Sequence, residues 1–219
     1  MGSGTVYPVS DDSIKYEAFE IPRTWPRIAG LDFGRGDHPI ACVWIAFDPN
    51  GCAYVYDCFK LTRVGDADIA AQILSRGNWI PVAYPHDFMR SSGISTIADE
   101  TKTEGWIYKE IFAKYGINFT DHNAKTEEGS VRVEAGIVQI RQAMVEGKFK
   151  VASHLAEWFK EKATYLYKED GNVTKEKDDL LDATRYAYVM RRYAVPYEAD
   201  YGYHNDMPDK AIDNTNEVD

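Results

Sequence analysis

The chain has 219 residues and carries 25 basic against 35 acidic side chains, a net charge of −10. With 44% hydrophobic and 13% aromatic residues, it can bury a sizeable core without staples. No apolar run approaches the roughly 20 residues of a membrane-spanning helix, so a span of that kind is excluded. Cys42, Cys52 and Cys58 lack paired Cys-x-x-Cys spacing, which argues against a zinc site or disulfide framework and for a reducing compartment. The negative charge does not by itself exclude nucleic acid. Residues 198–219 hold seven acids and one base, leaving −4 over the other 197 residues.

Met1-Gly-Ser-Gly4 reads as an expression remnant, and the chain as a fragment of something longer. Residues 1–26 show no sustained period and contain Pro8, Pro22 and Pro26, as a linker or packed arm would. From Arg27 the pattern turns to strand: residues 28–34, 40–48 and 53–60. Asp48-Pro-Asn-Gly51 between the last two is hairpin chemistry, because Asn-Gly tolerates the positive φ of a tight turn. Residues 66–76 fit a helix starting near Gly65 or Asp66 and stopping at Gly77. A short apolar run over 79–84 fits a buried strand ending at Pro85-His-Asp87. Helical spacing returns over 103–115, and 117–120 is strand-like. The best helix of the middle region spans 131–146, with Val133, Ile137, Ile140 and Met144 on one side. Next come a strand over 149–151, a helix near 154–163 and a hairpin-like 165–173 turning at Asp170-Gly171. The last helix is expected over 177–193, and Pro196 bars its continuation. Antiparallel strands succeeded by β/α alternation imply an α/β fold, a mixed sheet with helices on both faces. Residues 197–219 read as an acidic, flexible tail.

Three acidic positions stand out by context. Asp32 ends an otherwise apolar strand, where an ionised carboxylate is costly unless paired, hydrogen-bonded or bound to metal. A turn-capping role with Gly34 and Gly36 is the plainer alternative. Asp87 comes after a buried strand, at the carboxyl end where mixed sheets place ligands, although a loop Asp there can simply cap the next segment. Asp179 and Asp182 lie i,i+3 on one helical face, with Asp178 about 100° away. Asp178 or Asp179 alone could be an N-cap; Asp182 lies past the capping turn. Carboxylates from a first strand, a later strand end and a late helix can together hold two hard cations, which activate water and stabilise a leaving oxygen. Crowding them without metal predicts that neutralising Asp182 leaves the metal-free fold no less stable. No Gly-x-x-x-x-Gly-Lys-Ser/Thr motif is present, so the chain carries no P-loop ATPase of its own.

Residues 28–39 (Ile-Ala-Gly-Leu-Asp-Phe-Gly-Arg-Gly-Asp-His-Pro), Tyr84-Pro-His-Asp87 and Asp178-Asp-Leu-Leu-Asp-Ala-Thr-Arg-Tyr-Ala187 resemble the nuclease domain of tailed-bacteriophage large terminase subunits. The resemblance runs from about Pro26 to Val195. It implies an RNase H-like fold for residues 27–196 and metal-dependent endonucleolytic cutting of concatemeric phage DNA in the host cytoplasm. It also implies two Mg²⁺ or Mn²⁺ ions held by Asp32, Asp87 and Asp182, with Asp179 at an auxiliary position that some relatives fill with His. Asp99 and Glu100 remain alternatives to Asp87. The implied partners are double-stranded DNA, an ATPase motor domain joined through residues 1–26, the small terminase subunit and the portal, and no membrane. Basic residues in the flanking loops are candidates for phosphate contact: Arg35, Arg90, Lys125, Arg132, Lys175 and Lys177, with Arg185 able instead to pair along its own helix. Two other classes compete. One is an inactive RNase H-like docking module, which would lack metal-dependent nicking. The other is an actin- or sugar-kinase-like ATPase, which would need a repeated second half.

Overall fold

The computed structural model describes residues 4–34, 38–85, 104–174 and 178–198, with backbone alone over 104–108. Asp87, Asp99, Glu100, Arg35, Arg90, Lys175, Lys177 and the acidic tail beyond Glu198 lie outside these residues. Among the described residues six strands form one mixed sheet: β1 (Lys15–Tyr16), β2 (Arg27–Asp32), β3 (Ile40–Phe47), β4 (Ala53–Leu61), β5 (Val82–Ala83) and β6 (Phe149–Ala152). Their spatial order is β1-β6-β4-β3-β2-β5. The expected antiparallel trio is the sheet's centre, β2 against β3 and β3 against β4. Its β3–β4 hairpin is closed by Asp48, whose Oδ1 accepts the N–H of Asn50 and of Cys52, each at 2.8 Å. β5 joins β2, and β6 joins β4, both in parallel.

Strand alternation splits the core between the two faces. Ile28, Ala41, Val43 and Ile45 point to one side. There they meet Ile137 and Ile140 of α4 (Val133–Val145), Trp158 of α5 (Ala156–Thr164) and Leu180 of α6 (Asp179–Val189). Ala29, Leu31, Cys42 and Trp44 point to the other side. They meet Ile69 and Ile73 of α2 (Asp66–Leu74) and Phe112 of α3 (Glu104–Lys114). Helices therefore cover both faces. The indole N–H of Trp158 donates to the Thr184 hydroxyl at 2.9 Å, and that hydroxyl donates to the Leu180 carbonyl at 2.7 Å. This buried pair fastens α5 to α6 and satisfies two polar groups that would otherwise be orphaned.

The arm is packed. A single turn, α1 (Asp11–Ile14), precedes β1, which pairs in parallel with β6, and Val6 and Ile14 are fully buried. The Lys162 ammonium ties the arm down by donating to the Val9 carbonyl and to Asp11, both at 2.8 Å. A two-residue strand is too short to show a period of two, which is why the sequence pattern there is silent. The strand-like residues 117–120 supply only an isolated bridge, Phe119 to Val82, and the hairpin-like 165–173 two isolated bridges, Tyr167 to Val173 and Leu166 to Thr5 of the arm.

Two features of the sheet govern what reaches the end where Asp32 lies. Gly30 lies under α6. A Cβ there would overlap the Ala183 carbonyl oxygen and lie 2.8 Å from the Ala187 nitrogen, so only glycine lets the helix descend this far. The second is a bulge in β4. Trp44 pairs with Asp57 but Ile45 pairs with Val55, which leaves Tyr56 as the extra residue. The alternation slips by one place there, so Lys60 shares the α6 face with Ala53 and Val55 although it is five residues beyond Val55.

Candidate active site

Asp32 is the last residue of β2 and lies on the same side of that strand as Ile28 and Gly30, facing α6. Asp179 and Asp182 stand one turn apart on the first part of α6. Burial pushes the Asp32 carboxyl well above the usual carboxylate range, and the charges of Asp182 and then Asp179 push it further. Arg185 acts the other way, and Asp178 adds a smaller upward push. The structure therefore brings Asp32, Asp179 and Asp182 into one electrostatic neighbourhood. Among the described residues no group of three or more His, Cys, Asp or Glu side chains is placed to hold a metal ion. The acids that do converge offer only oxygen donors, and they repel one another. That donor set suits a hard divalent cation.

Each acid of α6 has a cation of its own. Arg185 holds Asp182 in a two-point contact, Nη2 to Oδ1 at 2.9 Å and Nε to the same oxygen at 3.3 Å. Its stem lies against α4 at Gly136, where a Cβ would come within 2.6 Å of Arg185 Cγ. Arg185 is thus a clamp within the site. The expectation that neutralising Asp182 costs nothing is corrected by this partner, since the variant would strand a guanidinium whose side chain is only 9% exposed. Lys60 reaches Asp179 Oδ2 at 2.6 Å and Glu161 Oε1 at 2.7 Å.

Glu161, on α5, was not among the expected site residues. Its Oε2 accepts the backbone N–H groups of Leu180 at 2.8 Å and Leu181 at 3.2 Å, the orphan donors of the α6 N-terminus. Asp178 precedes α6 without making a side-chain cap. The cap comes from another helix, which leaves Asp179 and Asp182 to face the site. Burial raises the Glu161 carboxyl to about 7, against the opposing pull of Lys60 and the two N–H groups.

This arrangement carries the first expected result. Glu161→Ala uncovers two N–H groups and removes one of Lys60's anions, and should cost about 2–4 kcal/mol in urea unfolding. Glu161→Gln keeps an acceptor and should lose less than half of that. Equal losses would mean that the carboxylate does not cap α6.

Of the basic candidates, Arg132 is exposed immediately before α4. Gly136 meets Arg185, and Gln139 meets Arg191 with the guanidinium donating at 2.9 Å, so α4 and α6 run in the same direction. Arg132 therefore heads α4 at the acidic end. Lys125 sits with the far end of α6, where its carbonyl accepts from Arg192. Trp44 and Trp158 are buried, as their apolar setting indicates.

A mixed sheet of this order, with a carboxylate ending its first long strand and two more on a helix laid across it, defines an RNase H-like α/β protein with an acidic site. The family model for the Terminase RNaseH-like domain matches residues 29–191, and the chain belongs to that family. It is 35% identical over 200 residues to the terminase large subunit of Salmonella phage P22, covering 89% of this chain and 37% of that protein. The chain thus spans little more than a third of that relative's length. The structure of the P22 large terminase nuclease domain shares 32% identity with a TM-score of 0.77, over 89% of this chain and 96% of that one. The large terminase nuclease domain of bacteriophage SPP1 with bound Mn shares 18% identity and a TM-score of 0.56, over 81% of this chain and 95% of that one. The last comparison speaks to the fold alone. No helix among the described residues is long and apolar enough to cross a membrane.

Proposed function

We propose that this chain is the nuclease domain of a phage terminase large subunit and cuts double-stranded DNA endonucleolytically with the help of divalent cations. The observation that carries the reading is the convergence of Asp32 with Asp179 and Asp182, in a chain of this family, with Asp32 held in a buried and repulsive setting. Asp32 and Asp182 would hold Mg²⁺ or Mn²⁺, with Asp87 or else Asp99 or Glu100 supplying the middle position and Asp179 the auxiliary one. Two such ions lower the pKa of a bound water and stabilise the leaving oxygen of a phosphodiester. The chain's own residues fix the frame for this. Gly30 sets the height of α6, Glu161 secures its first turn, and Arg185 orients Asp182. Arg132, exposed at the head of α4, is a candidate to meet a phosphate. Residues 27–196 form the nuclease unit in this reading and 197–219 its acidic tail. The packed arm lies on the path from a motor domain. The motor, the small subunit and the portal are the partners this role requires.

Incubation with supercoiled plasmid tests the activity, using this chain alone and joined to the remainder of its large subunit. Nicking and linearisation are expected with Mn²⁺ or Mg²⁺, and none with excess EDTA. Cleavage that persists in EDTA would remove the metal from the mechanism. A second readout is independent of turnover. A cation that binds only the folded state at a hundredfold excess over its Kd stabilises by about 2.7 kcal/mol. Mn²⁺ should therefore raise the Tm by several degrees, whereas Na⁺ at matched ionic strength should not.

A further inference from the structure

Lys60 touches no expected site residue in the sequence pattern, yet the β4 bulge turns it onto the acidic face, where it bridges two carboxylates. The two are unlike. Glu161 is 5% exposed and already committed to the α6 N–H groups, while Asp179 is 19% exposed and lies one turn from Asp182. Asp179 cannot give the same oxygen lone pairs to an ammonium and to a metal ion. Lys60 also differs from the site's other cation. Arg185 is wedged against Gly136, whereas Lys60 ends a flexible four-carbon stem, is 23% exposed, and has a second anion to keep.

We propose that Lys60 is a positioning residue for the metal centre: its ammonium holds Asp179 in the metal-free protein and retreats to Glu161 alone when that carboxylate turns to a divalent cation. This rests on the metal-dependent reading above. The lysine acts as a resident substitute for part of the metal's charge. It offsets the repulsion among the acids before loading and competes with loading itself. Because one of its two ion pairs survives the exchange, the exchange gives up a single contact. A lysine held only by Asp179 would lose all of its pairing. The deeper carboxylate therefore makes the device reversible.

Electrostatics sets the sign of the effect on metal affinity. Removing the ammonium frees Asp179 and removes a like charge from the cation's surroundings, so both changes tighten binding.

The test is Mn²⁺ titration of the 219-residue chain, monitored by electron paramagnetic resonance of the free ion, with thermal melts to confirm that each variant folds. Lys60→Met should bind Mn²⁺ about tenfold more tightly than wild type, and Lys60→Arg, which keeps the charge, within about twofold of it. In an Asp179→Asn background the Lys60→Met effect should shrink to less than about twofold, since the lysine then has no carboxylate to withhold. An unchanged affinity in Lys60→Met would overturn the proposal. So would equal tightening in both backgrounds, which would make Lys60 a distant charge acting on the ion directly. Should Lys60→Met fail to fold, Lys60→Gln supplies the same comparison. Asp182→Asn separates the underlying reading. If that variant binds Mn²⁺ as wild type does, the metal centre itself is misplaced and the role of Lys60 falls with it. If Asp182→Asn abolishes binding while Lys60→Met changes nothing, only the role of Lys60 fails.

Discussion

Asp32→Asn should abolish DNA cleavage and leave the metal-free fold as stable as wild type or more so, with the difference growing as pH rises. The carboxyl is raised by burial and by the charges of Asp182 and Asp179. An acid whose folded pKa lies above its unfolded one binds protons more readily in the native state. Its contribution to stability is present at low pH and is lost as pH rises through the interval from the ordinary carboxylate value to the raised one. Asn resembles the neutral form at every pH. Wild type and variant should therefore melt at similar temperatures near pH 4, and the variant at the higher temperature near pH 8. Activity should fall by more than about a hundredfold, because even outer partners of a metal site typically contribute 10–100-fold. A variant less stable than wild type at pH 8 would identify Asp32 as a satisfied structural carboxylate. Asp182→Asn is expected to part company with it. That variant also loses cleavage, but it loses about 1–3 kcal/mol of metal-free stability as well, because Arg185 keeps its charge and loses its carboxylate.

Gly30→Ala should be among the most damaging single substitutions in the chain. The added methyl meets backbone atoms of Ala183 and Ala187, which no rotamer change can move aside. Either β2 bends or α6 lifts, and α6 also packs on β3 and carries two of the acids. Overpacking ordinarily costs about 1–3 kcal/mol, and a clash with helix backbone should exceed that range, to about 4 kcal/mol or outright failure to fold. Where a little folded protein survives, Mn²⁺ should raise its Tm less than it raises that of wild type. A change within about 0.5 kcal/mol, as is usual for a surface substitution, would show that α6 does not rest on Gly30.

Much of this was legible in the residues, for identifiable reasons. Near-continuous apolar runs over Ile28–Leu31 and Ile40–Ile45 mark strands covered on both faces, and Asp48-Pro-Asn-Gly51 marks the turn that joins β3 to β4. Asp179 and Asp182 announced themselves by their spacing on a helix that the sequence delimits well. Lys60 did not, because counting by twos from Val55 assigns it to the opposite face. Only the bulge at Tyr56 reverses that assignment, and no Gly or Pro marks it. Glu161 was hidden for another reason. It looks like an ordinary charge on an amphipathic helix, and its service to α6 depends on how two helices dock. The hydrogen bond between Arg185 and Asp182 lay within reach of the i,i+3 rule, but its consequence for stability needed Gly136 to bury the arginine.

On the proposed reading, the borrowed cap on α6 bears on when the acidic site is complete. Asp32 and Asp182 lie 150 residues apart in the chain. The segment that presents Asp182 receives its N-terminal hydrogen bonds from α5 and not from its own leading residues. A nascent or partly unfolded chain thus has no locally encoded acidic cradle, because α6 is secured only after α5 has docked against it. Bringing Asp32 to Asp182 is in addition a contact of high sequence separation, whose loop-closure entropy must be met before the contact can form. On the proposed reading, a chain in which α5 and α6 have not yet docked would lack the acidic site that cutting requires.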